Sequence, residues 1–164
     1  MSPPAWSETW QALVDACRDR ARSHGERLAV AESCTGGMIG SYLTGLPGIS
    51  VVFAGSIVAY DNGLKTKLLG VDPNSLATHG AVSGPVAAEM AKGARRVMGT
   101  NVGLAATGIA GPDGGSDEKP VGTVYLAMCD AQGVLQIKQH FFEGDRLQIR
   151  LATTKALLRW YGQP

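Results

Sequence analysis

The apolar residues near the two ends of the chain recur at spacings of three and four, which is the period of one face of an α-helix. The two stripes are Trp10, Val14, Cys17 and Ala21, and Ile149, Thr153, Ala156 and Trp160. The first stripe predicts a helix over about residues 7–24 that ends at Gly25. The second predicts a helix over residues 146–161 with Asp145 as its N-cap. Each helix therefore has an apolar face to bury.

Between these helices, short β-rich runs alternate with further helical patterns. Predicted strands cover residues 27–31, 53–60, 102–106, 121–129 and 134–142. Predicted helices cover residues 38–44, 64–69 and 85–98, and another begins after Asp72. Residues 130–133 have the turn composition of a β-hairpin between the last two strands. This order predicts an α/β fold, a three-layer αβα sandwich with a mixed, mostly parallel sheet and a C-terminal β-hairpin.

Length and composition fit one compact domain. The chain has 164 residues, of which 45% are hydrophobic and 18% charged, so we expect a single domain over residues 1–164. The formal charge is +1 and no basic run is interleaved with aromatic residues, so we expect no nucleic-acid partner. No segment approaches the about 20 apolar residues that span a bilayer, and no secretory leader is evident. We therefore expect no membrane contact and a cytoplasmic location.

The cysteines and histidines do not suggest a metal site. The residues concerned are Cys17, Cys34 and Cys129, and His24, His79 and His140. The cysteines form no CxxC pair, their odd number argues against a disulfide framework, and the histidines are scattered. We expect neither a metal nor a cofactor, although ligands assembled only by folding would leave no such spacing.

Three loops follow predicted strands, and ligands bind at the carboxyl ends of strands in open α/β sheets. The first loop, residues 33–37, places Ser33, Cys34 and Thr35 before two glycines at the start of a helix. Consecutive N–H groups there can hold an anion, but a serine or threonine is also typical of a plain N-cap. Both interpretations are open at this level.

The second loop, residues 60–65, adds Tyr60 at a strand end and Lys65 in the next helix. Taken alone, Lys65 is typical of a solvated surface lysine, and Lys67 lies nearby as a rival. Together with Ser33, however, these residues make a Ser/Lys/Tyr set, which can activate a hydroxyl without histidine. We predict Ser33, Tyr60 and Lys65 as catalytic residues.

The third loop, residues 107–116, is rich in glycine. Gly108, Gly111, Gly114 and Gly115 offer positive φ angles and unhindered N–H donors, which suit a binding loop, although a mobile surface loop has the same composition. Arg146, at the start of the last helix, could hold a phosphate with its planar guanidinium or could face solvent.

Four stretches carry a family resemblance. They are AESCTGG at residues 31–37, GIAGPDGG at 108–115, KPVGTV at 119–124 and GDR at 144–146. In these the sequence resembles the CinA C-terminal domain family, the bacterial nicotinamide-nucleotide amidohydrolases, over about residues 7–161. We expect the stand-alone form, without the molybdopterin-binding-like N-terminal domain of longer members.

The resemblance implies hydrolysis of nicotinamide mononucleotide to nicotinate mononucleotide and ammonia, a step of pyridine-nucleotide salvage. It implies Ser33 as the nucleophile, Tyr60 and Lys65 as its assistants, and Thr107 and Arg146 as substrate-binding residues. We also place Thr35, Gly36, Gly37, Gly108 and Gly111 at the substrate. No cofactor is required.

In the predicted mechanism, neutral Lys65 takes the proton of Ser33, directly or through Tyr60. Backbone N–H groups near residues 35–37 hold the oxyanion. Cys34 is a rival nucleophile with no visible histidine or acidic partner.

A non-catalytic pyridine-nucleotide sensor is the alternative function, and a DNA-processing factor is disfavoured by the near-zero charge. We also expect a homo-oligomer, because apolar helices at both ends of a small α/β enzyme often pair.

Overall fold

The computed structural model describes residues 8–163 as six α-helices, one short 3-10 turn and five strands. The helices are α1 (Glu8–His24), α2 (Met38–Thr44), α3 (Asn62–Leu69), α4 (Pro73–His79), α5 (Gly84–Met98) and α6 (Arg146–Gly162). The strands are β1 (Leu28–Glu32), β2 (Phe53–Val58), β3 (Val102–Gly108), β4 (Thr123–Cys129) and β5 (Leu135–Phe141). The 3-10 turn covers Ile49–Val51 and leads into β2.

All five strands form one mixed sheet in the order β2-β1-β3-β4-β5. Strand β1 pairs in parallel with β2 and β3, whereas β4 is antiparallel to both β3 and β5. Four of the five strands therefore run in one direction, with β4 reversed inside the C-terminal hairpin. This confirms the predicted mixed sheet.

Helices cover both faces of the sheet. On one face α1, α2 and α6 pack on apolar side chains that include Val30, Leu104 and Leu126. On the other face α5 packs on smaller side chains, among them Ala29, Ala31 and Ala105. Alternate residues of β1 thus enter different cores, as expected for a strand buried on both faces. The three-layer αβα sandwich is confirmed.

Local capping explains where several helices begin. The Asp72 side chain accepts from the N–H of Asn74 at the start of α4, and Ser83 accepts from Val86 at the start of α5. Asp145 and Gln148 form a reciprocal capping box at the start of α6. These side chains satisfy N–H groups that have no partner within a helix.

All five strand boundaries differ from the prediction by a few residues, and β4 and β5 are each shorter than predicted, at Thr123–Cys129 and Leu135–Phe141. Strand β1 lies one residue later than predicted, and β2 ends at Val58 because residues 59–61 leave the sheet before α3. Strand β3 runs on through Thr107 and Gly108, which pair with β4, so the expectation that these two residues lie in an irregular loop is wrong. The predicted first helical residue, Ser7, lies outside the described residues.

The topology brings the candidate loops to one edge of the sheet. The chain leaves β1 toward β2 on one side, while β3 lies on the other side of β1, so a crevice opens beyond the carboxyl end of β1. The antiparallel β4 begins at this same edge, and β5 ends there before α6. Among the described residues, no helix is long and apolar enough to cross a membrane.

Candidate functional site

Ser33 is the first residue after β1 and lies at this crevice. Its N–H donates to the carbonyl of Ala106 on β3 at 3.0 Å, which extends the pairing of β1 and β3 by one bond. The residue is 8% exposed, so only a small part of it faces solvent. A position at a strand end just before a helix suits a nucleophile, because backbone N–H groups at a helix start can stabilise negative charge.

The turn after Ser33 is held from one side by the carboxylate of Glu32. Its Oε2 accepts from the Thr35 hydroxyl at 2.7 Å and from the N–H groups of Gly37 and Ile39 at 3.0 Å each. Its Oε1 accepts from the N–H of Gly40 at 2.9 Å. Glu32 is fully buried and sits where an anion would bind at the start of α2.

The N–H groups predicted to hold the oxyanion, those near residues 35–37, are only partly available. The N–H of Gly37 is bonded to Glu32, and the N–H of Gly36 donates to the carbonyl of Ser33 at 3.1 Å, so neither is free for a ligand. Within the described chain, neither the N–H of Cys34 nor the N–H of Thr35 donates to another residue. The open donors are therefore those of Cys34 and Thr35.

Arg150 holds the same turn through its carbonyl groups. It lies on α6, where its Nε donates to the carbonyl of Cys34 at 3.1 Å and its Nη2 to the carbonyl of Thr35 at 2.8 Å. A Cβ at Gly36 would lie 3.3 Å from Nη2, so the glycine leaves room for the guanidinium. The turn is thus fixed through both its N–H and its carbonyl groups.

Lys65 is buried beside this turn. It is 1% exposed on α3, whereas Lys67 is exposed, so the interpretation of Lys65 as a solvated lysine is wrong. Its Nζ donates to the backbone carbonyl of Tyr60 at 2.9 Å. Burial lowers the pKa of the ammonium below its ordinary 10.5, and the nearby Asp61 and Cys34 oppose this shift. Cys34, the residue that follows Ser33, therefore lies within electrostatic range of the amine.

The Cys34 thiol is buried. Burial raises the pKa of its thiol to about 12, with Arg150 among the groups that act in the other direction. A thiol with so high a pKa holds almost no thiolate near neutral pH, and the thiolate is the reactive form. Burial of this thiol therefore argues against Cys34 as the rival nucleophile.

Tyr60 and Arg146 contact each other at the outer rim of the crevice. Tyr60 is 59% exposed, and its phenol oxygen accepts a hydrogen bond from Nη2 of Arg146 at 3.0 Å. The Nη1 of Arg146 donates to the carbonyl of Gly111 at 2.8 Å. Tyr60 thus meets Lys65 through its main chain and meets Arg146 through its side chain. Among the described residues, no hydrogen bond joins the Tyr60 phenol to Nζ of Lys65.

The residues predicted from the third loop divide into two groups. Thr107 is buried, and its hydroxyl donates to the carbonyl of Ala81 at 2.9 Å. A Cβ at Gly108 would lie 2.6 Å from Val124, so packing against β4 accounts for this glycine. Gly111, by contrast, has a φ of +76° and presents its carbonyl to Arg146 at the crevice.

Sequence reasoning missed Glu32 and Arg150. Glu32 belongs to the stretch that carries the family resemblance, but nothing in a linear pattern shows that its carboxylate turns toward α2. Arg150 follows Arg146 by one helical turn, which places both on one face of α6. That spacing was an available signal.

Within residues 9–163, no group of three or more His, Cys, Asp or Glu side chains is placed to hold a metal ion.

The fold and the site together define a three-layer α/β protein with a buried serine and lysine at the carboxyl edge of its sheet. Within that class, the model of the CinA C-terminal domain matches residues 10–163, and the chain belongs to this family. The predicted family resemblance is therefore confirmed.

Related sequences and a solved structure support this family assignment. A CinA-like protein of Geobacter sp. (strain M21) is 50% identical over 155 residues, which are 94% of this chain and 37% of that protein. A CinA-like protein of Citrifermentans bemidjiense is 50% identical over 98% of this chain and 38% of its own length. The chain thus spans less than two fifths of these relatives. The crystal structure of competence/damage inducible protein CihA from Agrobacterium tumefaciens superimposes with a TM-score of 0.90 at 38% identity, covering 99% of this chain and 100% of that one.

Proposed function

We propose that this protein is an amidohydrolase that converts nicotinamide mononucleotide to nicotinate mononucleotide and ammonia. The observation that carries the proposal is the buried Lys65, whose pKa is lowered beside the turn that begins with Ser33. A lysine that loses its proton more easily than usual can serve as a general base near neutral pH. A purely structural turn has no need of a buried amine.

The proposed chemistry has two halves. First, Lys65 takes the hydroxyl proton as Ser33 Oγ adds to the carboxamide carbon, and the oxyanion is held by the N–H groups of Cys34 and Thr35. The C–N bond then breaks and ammonia leaves with the proton from Lys65. Second, neutral Lys65 takes a proton from water as the water oxygen adds to the nicotinoyl ester, and it gives that proton to Ser33 Oγ as the ester C–O bond breaks and nicotinate mononucleotide is released.

The phosphate of the substrate is assigned to Arg146. Its guanidinium lies at the rim between Tyr60 and Gly111, and Arg146 is itself exposed. A planar guanidinium can bind two phosphate oxygens at once. On this proposal Tyr60 acts at the phosphate side of the substrate, and the direct route from Ser33 to Lys65 carries the proton.

Ammonia release on mixing the protein with nicotinamide mononucleotide tests the function. We expect steady turnover by the wild type and a loss of at least about 10³-fold in Ser33→Ala, with Cys34→Ala close to wild type. Loss of activity in Cys34→Ala alone would refute Ser33 as the nucleophile. Binding of the nucleotide without any ammonia would instead favour the sensor.

A further inference from the structure

We propose that Arg150 is a positioning residue that fixes the N–H groups of Cys34 and Thr35 as the oxyanion hole of this reaction. The inference rests on the proposed function, because it assigns a role within the same site. Arg150 reaches the turn from α6 and bonds only to main-chain carbonyls there. It therefore acts on the reaction through the backbone.

The planarity of the peptide unit links these bonds to the N–H groups. In a trans peptide the carbonyl and the following N–H point in opposite directions and turn together. Holding the Cys34 carbonyl at 3.1 Å therefore sets the direction of the Thr35 N–H. The bond from Gly36 N–H to the Ser33 carbonyl sets the direction of the Cys34 N–H in the same way.

The second bond of Arg150 completes this arrangement. Its Nη2 holds the Thr35 carbonyl at 2.8 Å, and the N–H of the same peptide is that of Gly36, which holds the Ser33 carbonyl. One guanidinium thus controls the Thr35 N–H directly and the Cys34 N–H through Gly36. These are the two N–H groups that the described chain leaves open after Ser33.

The charge of Arg150 is available to the site as well. No carboxylate of residues 9–163 forms an ion pair with it. A cation bonded to a carbonyl polarises the peptide and strengthens its N–H as a donor. A stronger N–H donor stabilises the negative charge that develops on the oxyanion.

Steady-state kinetics of Arg150→Met and Arg150→Lys test the proposal, with Arg159→Met, an exposed arginine of the same helix, as the matched control. We expect kcat for nicotinamide mononucleotide to fall by about 10–100-fold in Arg150→Met with KM nearly unchanged, and less in Arg150→Lys. Free guanidinium ion should restore part of kcat in Arg150→Ala. A rise in KM at unchanged kcat, or wild-type kcat in folded Arg150→Met, would overturn the inference. So would an Arg150→Ala variant that guanidinium does not restore.

A second readout separates this inference from the choice of substrate. An alkyl fluorophosphonate forms a bond from Ser33 Oγ to phosphorus as the P–F bond breaks, fluoride leaves and Lys65 takes the proton. The phosphoryl oxygen then occupies the oxyanion hole, so labelling should slow in Arg150→Met to the same extent as kcat. Arg150-dependent labelling without ammonia release would support the inference and refute nicotinamide mononucleotide as substrate. No labelling of wild-type Ser33 would refute both.

Discussion

The turn after Ser33 and the glycine-rich segment over residues 109–122 lie at the same edge of the sheet but are built differently. The turn is largely buried and is held by Glu32 through its N–H groups and by Arg150 through its carbonyl groups. Most of the segment from Pro112 to Pro120 is exposed. It is tied down mainly near its ends, where Gly111 accepts from Arg146 and Lys119 donates to the His79 carbonyl.

The difference suggests a division of labour within the site. Groups that stabilise charge during a reaction must already be in place, because reorganising them would add to the barrier. Groups that recognise a substrate can adjust as it binds, and exposed loops with few contacts open at little cost in free energy. We therefore expect changes at the turn to lower kcat or stability and changes at the loop to raise KM.

The largest expected effect belongs to Lys65. In Lys65→Met, kcat for ammonia release should fall by about 10²–10⁴-fold because the general base is lost. In the wild type, kcat should rise with pH as the neutral amine forms, with an inflection below 10.5. Lys67→Met, which changes an exposed lysine, serves as the control and should retain wild-type kinetics. Retained activity in Lys65→Met would remove the proposed base.

The same substitution should stabilise the fold, since methionine removes a buried charge. Below the lowered pKa, Lys65 is protonated in both the folded and the unfolded chain, and the cost of burying the charge is fully present. Between that pKa and 10.5 the unfolded chain binds the extra proton, so wild-type stability rises with pH. The gain in Lys65→Met should therefore be largest at low pH and shrink as pH rises. Urea denaturation across this range measures it.

The next largest effect is expected at Arg146, which bonds to Gly111 of the glycine-rich segment. In Arg146→Met, KM for nicotinamide mononucleotide should rise by about 10–100-fold with kcat little changed, since hydrogen bonds to charged groups contribute about 1.5–3 kcal/mol. Nicotinamide riboside, which has no phosphate, should show almost no difference between the variant and the wild type. An equal loss with both substrates would contradict the assignment of the phosphate to this residue.

Glu32 tests the rigidity of the turn. In Glu32→Gln, one side-chain atom becomes a donor and can no longer accept from the N–H groups of α2, which should cost about 1–3 kcal/mol of stability. The denaturation midpoint measures this loss. Glu118→Gln, at an exposed position of the loop, should stay within about 0.5 kcal/mol of the wild type. Equal stability of the two variants would mean that the buried carboxylate does not hold the turn.

The smallest effect compares one glycine from each region. Gly36 and Gly114 both have positive φ, at +58° and +89°, so an alanine is strained at either position. At Gly36 the new methyl group would also press on Arg150, whereas at Gly114 it would make only an ordinary contact with Ile109. We expect Gly36→Ala to lower stability by about 1–2 kcal/mol and to lower kcat, and Gly114→Ala to cost about 1 kcal/mol or less. Thermal unfolding with parallel kinetics distinguishes them.

Much of the architecture could be predicted from local patterns. Helix α2 spans residues 38–44 as predicted, and Asp72 and Asp145 cap the helices that were predicted to begin after them. The extension of β3 through Thr107 and Gly108 could not be predicted in this way. These two residues are stabilised by pairing with β4, a contact that the glycine-rich composition after them obscures.

The sequence by itself determined the elements, the α/β class and the three loops that carry the candidate chemistry. Periodicity, capping residues and turn residues act over a few neighbouring positions, so they are visible in a linear chain. Only the tertiary structure decided that Lys65 rather than Lys67 is buried, that Glu32 occupies the helix start, and that Arg150 holds the turn. Burial, pKa and the supply of open N–H groups depend on contacts between distant segments, and those contacts exist only once the chain has folded.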